Sequence, residues 1–253
     1  MSDKARIFIV NNIKLPINAS FKEAFSVALK KLSRAGVRAT NADCKIYRRS
    51  VDARQKSNIS FVYSVAVYSS ASPSDDTLSK LGIVSVDEAD FEIVIGESPL
   101  SAPPVIIGTG PCGLFAALIL AENGYNPILI ERGGDTKERV AAIERFTRTR
   151  KLDLDTNIQF GAGGAGTFSD GKLLTRINDP YSSYVLRRFV EFGAPEEILY
   201  LAKPHIGTDI LINVVDGILK RIEELGGEII RNEPYPTRCR TTLLRADSQT
   251  HVR

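Results

Sequence analysis

The sequence predicts an α/β protein with two domains and a parallel sheet in the second. Residues 59–67, ISFVYSVAV, place apolar side chains at every second position, which is typical of a strand. Residues 104–131 read as strand, helix and strand, the order that builds a parallel sheet. Between these stretches, SPLSAPP at 98–104 carries three prolines and suits a linker. We therefore predict a small α/β domain at 1–98 and a second domain at 99–253.

The first predicted domain combines strands with one or two helices. Residues 5–10, ARIFIV, predict its first strand. Ser20 and Glu23 match a capping box, in which the two side chains satisfy free N–H groups at a helix start. Apolar residues then recur at helical spacing as far as Leu32, and Gly36 suits the helix end. The other elements predicted here are the strand 59–67, a short helix within 75–83 and a strand at 91–95.

The second predicted domain opens with an apolar strand at 104–108, PVIIG. A helix follows over 114–124, LFAALILAENG, and PILIE at 127–131 predicts the next strand. An apolar stripe of helical period covers 210–225, and EIIR at 228–231 predicts another strand. This order of elements favours a parallel sheet.

The first turn of this domain, residues 108–113, reads GTGPCG, the GxGxxG pattern of dinucleotide-binding units. Its context supports the pattern, because an apolar strand precedes it, a helix follows it and Glu131 ends the next strand. Gly108 permits the tight turn, Gly110 lets the backbone approach a pyrophosphate, and Gly113 lets helix and strand pack closely. The helix N-terminus offers N–H groups to the phosphates. The residues predicted to bind the cofactor here are Gly108, Gly110, Pro111, Cys112, Gly113, Glu131 and Arg132.

Glu131 indicates which kind of nucleotide the turn binds, one with free ribose hydroxyls or one with a 2′-phosphate. Its carboxylate can accept hydrogen bonds from both ribose hydroxyls, whereas a 2′-phosphate would favour a basic residue. Ala117, Gly124 and ERG at 131–133 resemble the ADP-binding start of FAD enzymes in the glutathione-reductase-like superfamily. The alternative is a glycine-rich turn without a ligand. Cys112 is interpreted as a small packing residue of the turn.

A second glycine cluster lies in NIQFGAGGAGTFSDGKLLTR, residues 157–176. Glycines remove Cβ atoms where the backbone passes a flat ring or a phosphate, and successive N–H groups can hold an anion. Thr167 and Ser169 add hydroxyl donors, and Lys172 can offset phosphate charge or stabilise an anionic reduced flavin. The alternative is a flexible surface loop, against which the flanking Phe160 and Phe168 argue. The residues of this cluster predicted to bind the cofactor are Gly163, Gly164, Thr167, Phe168, Ser169 and Lys172.

Several stretches together resemble a family of bacterial uncharacterised FAD-dependent dehydrogenases, over roughly residues 6–231. They are VNNIKLPINAS at 10–20, RRSVDARQK at 48–56, ERGG at 131–134, GGAGTFSDGKL at 163–173 and KPHIGTD at 203–209. The resemblance implies a small ferredoxin-like N-terminal domain followed by a Rossmann-like FAD-binding domain with a parallel sheet. It also implies oxidoreductase activity. We expect the flavin to accept a hydride from a reduced nucleotide, NAD(P)H, or from a small organic substrate. Neither the substrate nor a catalytic residue is assigned.

The last residues, 232–253, depart from this family. They are polar and Arg-rich, without helical or strand periodicity, and the family is much longer. We therefore expect a truncated or frame-shifted product that lacks half of the flavin site and most of a substrate pocket. A non-catalytic dinucleotide-binding remnant is the alternative function.

Composition excludes several function classes. The net charge of +3 is too small to indicate a nucleic-acid or anionic membrane partner. Three cysteines without a CxxC pair and two histidines do not suit a disulfide framework or a metal site. No apolar run is long enough for a signal peptide or a membrane span. We therefore predict a cytoplasmic protein without a metal.

Three groups of basic residues each allow a functional interpretation beside a structural one. A basic patch in the first domain allows RNA binding, although a solvated strand–loop edge is favoured. His205 is a candidate acid or base, with a structural role favoured. Arginines within 139–150 are candidate phosphate contacts, with a solvated helix face favoured. The patch comprises Lys45, Tyr47, Arg48, Arg49, Arg54 and Lys56, and the arginines are Arg139, Arg145, Arg148 and Arg150.

Overall fold

The computed structural model divides the chain into two compact units, and each is described by itself. The first consists of Met1–Glu92, Leu173–Val190 and Pro195–Pro204; the second consists of Ile93–Lys172, Glu191–Ala194 and His205–Arg253. The predicted boundary between residues 98 and 99 stays a prediction. The described residues are 6–87, 93–94, 96, 100–159, 161–164, 166, 172–173 and 179–233.

The first unit has the strand order of a ferredoxin-like fold. Each strand is antiparallel to its neighbours in the order β2-β3-β1-β4, and the chain alternates as βαββαβ. The predicted ferredoxin-like class is confirmed. The elements are β1 (Arg6–Pro16), α1 (Phe21–Ser33), β2 (Cys44–Asp52), β3 (Ser60–Ser69), α2 (Asp75–Lys80) and β4 (Ile83–Asp87).

The core of this unit lies between the sheet and α1. Because successive side chains of a strand point to opposite faces, Phe8 and Val10 of β1 share the buried face. On α1, Ala24, Ala28 and Leu32 recur at four-residue spacing and are fully buried against this core. At the helix start, Glu23 Oε1 accepts hydrogen bonds from the Ser20 backbone N at 3.0 Å and the Ser20 hydroxyl at 3.1 Å, so the predicted capping contact is present.

The fourth strand differs from the sequence prediction. Gly82 adopts φ +60° directly after α2 and turns the chain into β4, which pairs with β1 from Val10↔Ile83 to Arg6↔Asp87. Of the stretch 91–95 predicted as a strand, Ile93 and Val94 lie outside any strand, and the other three residues fall outside the described ones. The prediction of a strand at 93–94 was therefore wrong.

Arg49 of the basic patch is surrounded by aromatic rings of the first unit. Its guanidinium carbon lies 4.9 Å from the centroid of Phe61, 5.3 Å from that of Tyr200 and 5.8 Å from that of Phe21. Such cation–π contacts stabilise a cation that is partly removed from water. The Arg49 backbone N donates to Tyr200 O at 2.7 Å, and its O accepts from Ala202 N at 2.9 Å. The interpretation as a solvated edge is wrong for Arg49.

Other members of the patch have separate partners. Arg54 forms an ion pair with Asp52 at 2.8 Å, and Lys14 reaches the same carboxylate at 3.0 Å. Hydrogen bonds from Arg54 and then Lys14 hold the pKa of Asp52 below its usual value. The Lys45 ammonium lies 5.1 Å from the Tyr68 ring centroid.

The second unit contains a three-stranded parallel sheet in the order β5-β6-β7. This confirms the predicted parallel sheet and the strands predicted near 104–108, 127–131 and 228–231. Helix α3 buries Leu114 and Leu118 and packs against α6, which carries the predicted apolar stripe. The elements are β5 (Val105–Ile107), α3 (Pro111–Glu122), β6 (Ile128–Ile130), α4 (Thr136–Thr149), α6 (Thr208–Glu224) and β7 (Glu228–Ile230).

Helix α5 (Pro180–Glu191) precedes α6 in the chain, and its residues up to Val190 belong to the first unit. No helix among the described residues combines the length and apolarity needed to cross a membrane.

Leu32→Ala is expected to lower the free energy of unfolding by about 2–5 kcal/mol, because it empties a fully buried position of the first core. Val27→Ala on the same helix is the control, since Val27 is 41% exposed and should change that energy by no more than about 0.5 kcal/mol. Urea unfolding followed by circular dichroism measures both. Equal losses would contradict the assignment of the buried face of α1.

Candidate functional site

The turn from β5 to α3 has the geometry that its glycines predict. Gly108 adopts φ +92°, a conformation that favours glycine, and its N donates to Ile130 O at 2.7 Å. A Cβ on Gly113 would collide with the backbone oxygen of Gly108, which confirms the predicted close packing of helix and strand. Around the Cβ position of Gly110, by contrast, no atom of the described residues lies within 4 Å, its chain neighbours aside.

This turn forms one wall of a cavity of about 560 Å³ in the second unit. The first residues of α3 belong to the wall, and their N–H groups have no partner within the helix, as at every helix start. A cavity at such a helix N-terminus suits an anionic group. The structure thus brings together seven predicted residues: Gly108, Gly110, Pro111, Cys112, Gly113, Glu131 and Arg132. The cavity is also lined by Ile107, Ile130, Gly161 and Glu233.

Glu131 is buried, and protein donors engage both oxygens of its carboxylate. Oε2 accepts hydrogen bonds from the Thr109 backbone N at 2.8 Å and the Thr109 hydroxyl at 2.5 Å. Oε1 accepts from the Gly133 N at 2.8 Å and lies 3.6 Å from Nη2 of Arg139. The carboxylate therefore joins the turn to α4, and its predicted contact with ribose hydroxyls stays a prediction.

The second glycine cluster packs directly on the turn. Gly161, Gly163 and Gly164 have φ of +78°, +81° and +83°, a backbone region that favours glycine. The Gly163 N donates to Thr109 O at 2.7 Å, and a Cβ on Gly164 would lie 2.9 Å from Pro111 Cδ. Residues 161–164 therefore pack on the turn, which argues against the alternative of a flexible surface loop for this part of the cluster. Gly163 and Gly164 contact the turn but do not line the cavity.

Of the remaining predicted cofactor residues, the structure describes only Lys172. Thr167, Phe168 and Ser169 lie outside the described residues, as does the flanking Phe160. Lys172 is exposed, does not line the cavity, and forms an isolated antiparallel bridge with His205.

Two sequence interpretations need correction: that of Cys112, and that of the α4 arginines for Arg139 alone. Cys112 is exposed in the first turn of α3, so its interpretation as a packing residue was wrong. Arg139 is fully buried, so it does not belong to a solvated face of α4. On the same helix, Arg148 is exposed, and Arg145 is exposed and pairs with Asp153 at 3.1 Å.

Sequence reasoning missed Thr109, and it missed the burial of Arg139 beside Glu131. Thr109 occupies a variable position of the GxGxxG pattern, which carries no expectation for its hydroxyl. Arg139 had a weak signal, because Thr136, Arg139 and Ala142 recur at three-residue spacing and share the buried face of α4.

Comparisons with known proteins agree with this geometry. Residues 102–150 match the family described as FAD binding domain. This segment is similar to FAD-binding domains. The match supports FAD as the cofactor and a flavin-binding, oxidoreductase-like function, whereas nothing in it supports NAD(P)H. Residues 9–68 match a domain of unknown function, DUF8436.

A relative from Clostridium beijerinckii, described as an uncharacterized protein, is 40% identical over 224 residues. The match covers 87% of this chain and 41% of that protein. The chain therefore spans about two fifths of the length of this relative, whose description assigns no activity. The specific dehydrogenase family that the sequence resembles stays a prediction.

Cys112 offers a direct probe of the cavity. A thiol reagent should label Cys112 rapidly, and saturating ADP should slow that labelling at least tenfold, because Cys112 lines the cavity. Cys44 should react slowly at pH 8, because burial raises the pKa of its thiol to about 11 and leaves little thiolate at that pH. Labelling kinetics in a Cys239→Ser background measure both rates.

Cys112→Ser in the same background is the control and should abolish the fast phase. An unchanged rate of Cys112 labelling under saturating ADP would contradict a nucleotide site at this cavity.

Proposed function

We propose that the second unit binds the adenosine diphosphate half of FAD and that the chain is part of an FAD-dependent oxidoreductase. The observation that carries this proposal is the 560 Å³ cavity at the carboxyl end of β5, lined by the glycine turn and the start of α3. Ligands of open parallel sheets bind beyond the carboxyl ends of the strands. The FAD binding domain match over 102–150 supports the same cofactor.

The residues of the cavity suit a dinucleotide. Gly110 leaves open space where a side chain would otherwise stand, so a pyrophosphate can approach the backbone. The first N–H groups of α3 would donate to its oxygens. Arg132 lines the cavity with a partly exposed side chain and pairs with Asp155 at 3.4 Å, which places a cation near the ligand.

A flavin supplies hydride and electron transfer when it is bound, and the protein orients it against a substrate. The proposed substrate is a small molecule, and NAD(P)H is proposed as a donor of hydride to the flavin. No described residue is assigned a catalytic role. Cys44 and Cys112 are free thiols, which supports a reducing compartment, and we place the protein in the cytoplasm.

Gly110→Val is expected to weaken ADP binding at least a hundredfold, because the valine side chain would occupy the space that the pyrophosphate needs. The fold should lose no more than about 1 kcal/mol of stability: the φ of −66° at Gly110 is one that any residue adopts, and the loss arises because valine is a poorer N-cap than glycine. Gly110→Ala should give an intermediate loss. Titration calorimetry with ADP and FAD, after thermal melts confirm folding, measures the series.

Equal ADP affinity of folded wild type and Gly110→Val would place the nucleotide elsewhere.

The 253-residue chain is expected to bind FAD no more than about tenfold more tightly than ADP, a difference below about 1.4 kcal/mol. The described cavity is built around the turn that addresses the pyrophosphate, so the adenosine diphosphate half should supply most of the binding energy. Calorimetry with the two ligands and a visible spectrum of the purified protein test this. Stoichiometric yellow FAD with much tighter affinity would show that the chain also holds the flavin ring.

A further inference from the structure

The buried face of α4 places an arginine inside the second unit. Arg139 is fully buried, and its Nη1 donates a hydrogen bond to the backbone oxygen of Asn157 at 2.6 Å. Its Nη2 lies 3.6 Å from Glu131 Oε1. Burial lowers the pKa of Arg139, and the Glu131 charge opposes this shift. The guanidinium is tolerated there because a carboxylate compensates its charge.

The backbone oxygen that receives Arg139 belongs to an ordered turn. Asn157 is buried, and its side-chain amide donates to Asp153 O at 3.0 Å and Leu154 O at 3.3 Å. Its Oδ1 accepts from Gln159 N at 2.9 Å. Arg139 therefore binds the backbone oxygen of Asn157, a residue that its own hydrogen bonds hold in place just before the second glycine cluster.

Gly161 lies directly against the ion pair. A Cβ at this position would collide with Arg139 Nη2 and would lie 2.7 Å from Glu131 Oε1. The positive φ of Gly161 and this close approach both require glycine. The backbone of the cluster thus packs on the ion pair with no side chain between them.

Thr109, a residue of the turn, forms hydrogen bonds with both Glu131 and the second glycine cluster. Its hydroxyl donates to Glu131 Oε2 at 2.5 Å and accepts from Ala162 N at 2.7 Å. A single hydroxyl therefore connects the buried carboxylate with the glycine cluster. We call Arg139, Glu131 and Thr109 the clasp.

We propose that Arg139 is a positioning residue of the nucleotide site, which acts through the clasp to hold residues 161–164 against the phosphate-binding turn. This inference rests on the proposed nucleotide site for its effect on ligand affinity. The ordering of 161–164 by the clasp can be tested without a ligand.

The first test is hydrogen exchange of the full chain without nucleotide. Arg139→Met keeps much of the side-chain length but removes the charge and the hydrogen bond to Asn157. Exchange of the Ala162 and Gly163 amides should accelerate at least tenfold relative to the Ile218 amide, which reports on the core of the unit. Arg148→Met, an exposed position on the same helix, is the control and should leave all three rates unchanged.

The second test is ADP affinity measured by calorimetry. Arg139→Met should weaken ADP binding at least tenfold at a temperature where the variant is folded, while Arg148→Met binds as the wild type does. A purely stabilising arginine would instead raise exchange at Ile218 as much as at Ala162 and leave the affinity of the folded protein unchanged. That result would overturn the proposal.

Thr109→Val provides the same tests should Arg139→Met fail to fold. It removes the hydroxyl that links Glu131 with Ala162 and should accelerate Ala162 exchange at least tenfold, while Thr109→Ser restores slow exchange. Unchanged exchange in Thr109→Val would overturn the clasp. A wild-type chain that shows protected amides at 162–163 but binds neither ADP nor FAD would refute the proposed function and leave the ordering role of the clasp standing.

Discussion

The arrangement of the second unit depends on one buried carboxylate. Charged groups are costly to remove from water, and they stay buried when an opposite charge and hydrogen-bond donors surround them. Glu131 meets this condition with Thr109, Gly133 and Arg139 as neighbours. Loss of one partner from a buried ion pair typically costs about 3–5 kcal/mol, because the other charge is left uncompensated. The end of β6, the glycine turn and α4 are therefore fixed relative to one another by the same group.

This constraint explains why glycine is concentrated in two places. Gly108 and Gly113 allow the backbone of the turn to approach itself, and Gly161 and Gly164 allow a second segment to approach that turn. Side chains at Gly113, Gly161 and Gly164 would meet backbone, the ion pair or a proline ring, and Gly108 is required for its φ of +92°. The cost of ordering glycine is thus offset by backbone contacts that other residues cannot make.

The parts of the site that follow from local geometry could be predicted from the sequence. The strand, turn and helix around 108–113 carry a pattern whose spacing reflects steric needs of consecutive residues, and the structure has them as predicted. The burial of Arg139 carried only a weak signal in the sequence, because it depends on Glu131 and Asn157 approaching it in three dimensions. The strand β4 was missed because the helix predicted within 75–83 ends at Lys80, and Gly82 turns the chain so that Ile83 pairs with β1.

The ferredoxin-like unit includes a contact between residues that are distant in the chain. The Arg49 backbone at the β2 edge pairs with 200–202, and the guanidinium packs on the Tyr200 ring. Chains emerge from the ribosome at about 5–20 residues per second, so on the order of ten seconds separates the synthesis of Arg49 from that of Tyr200. During that interval the nascent β2 edge lacks this partner, and such an edge can pair with other chains. The β2 edge is therefore open to pairing with other chains until residues 200–202 have been synthesised.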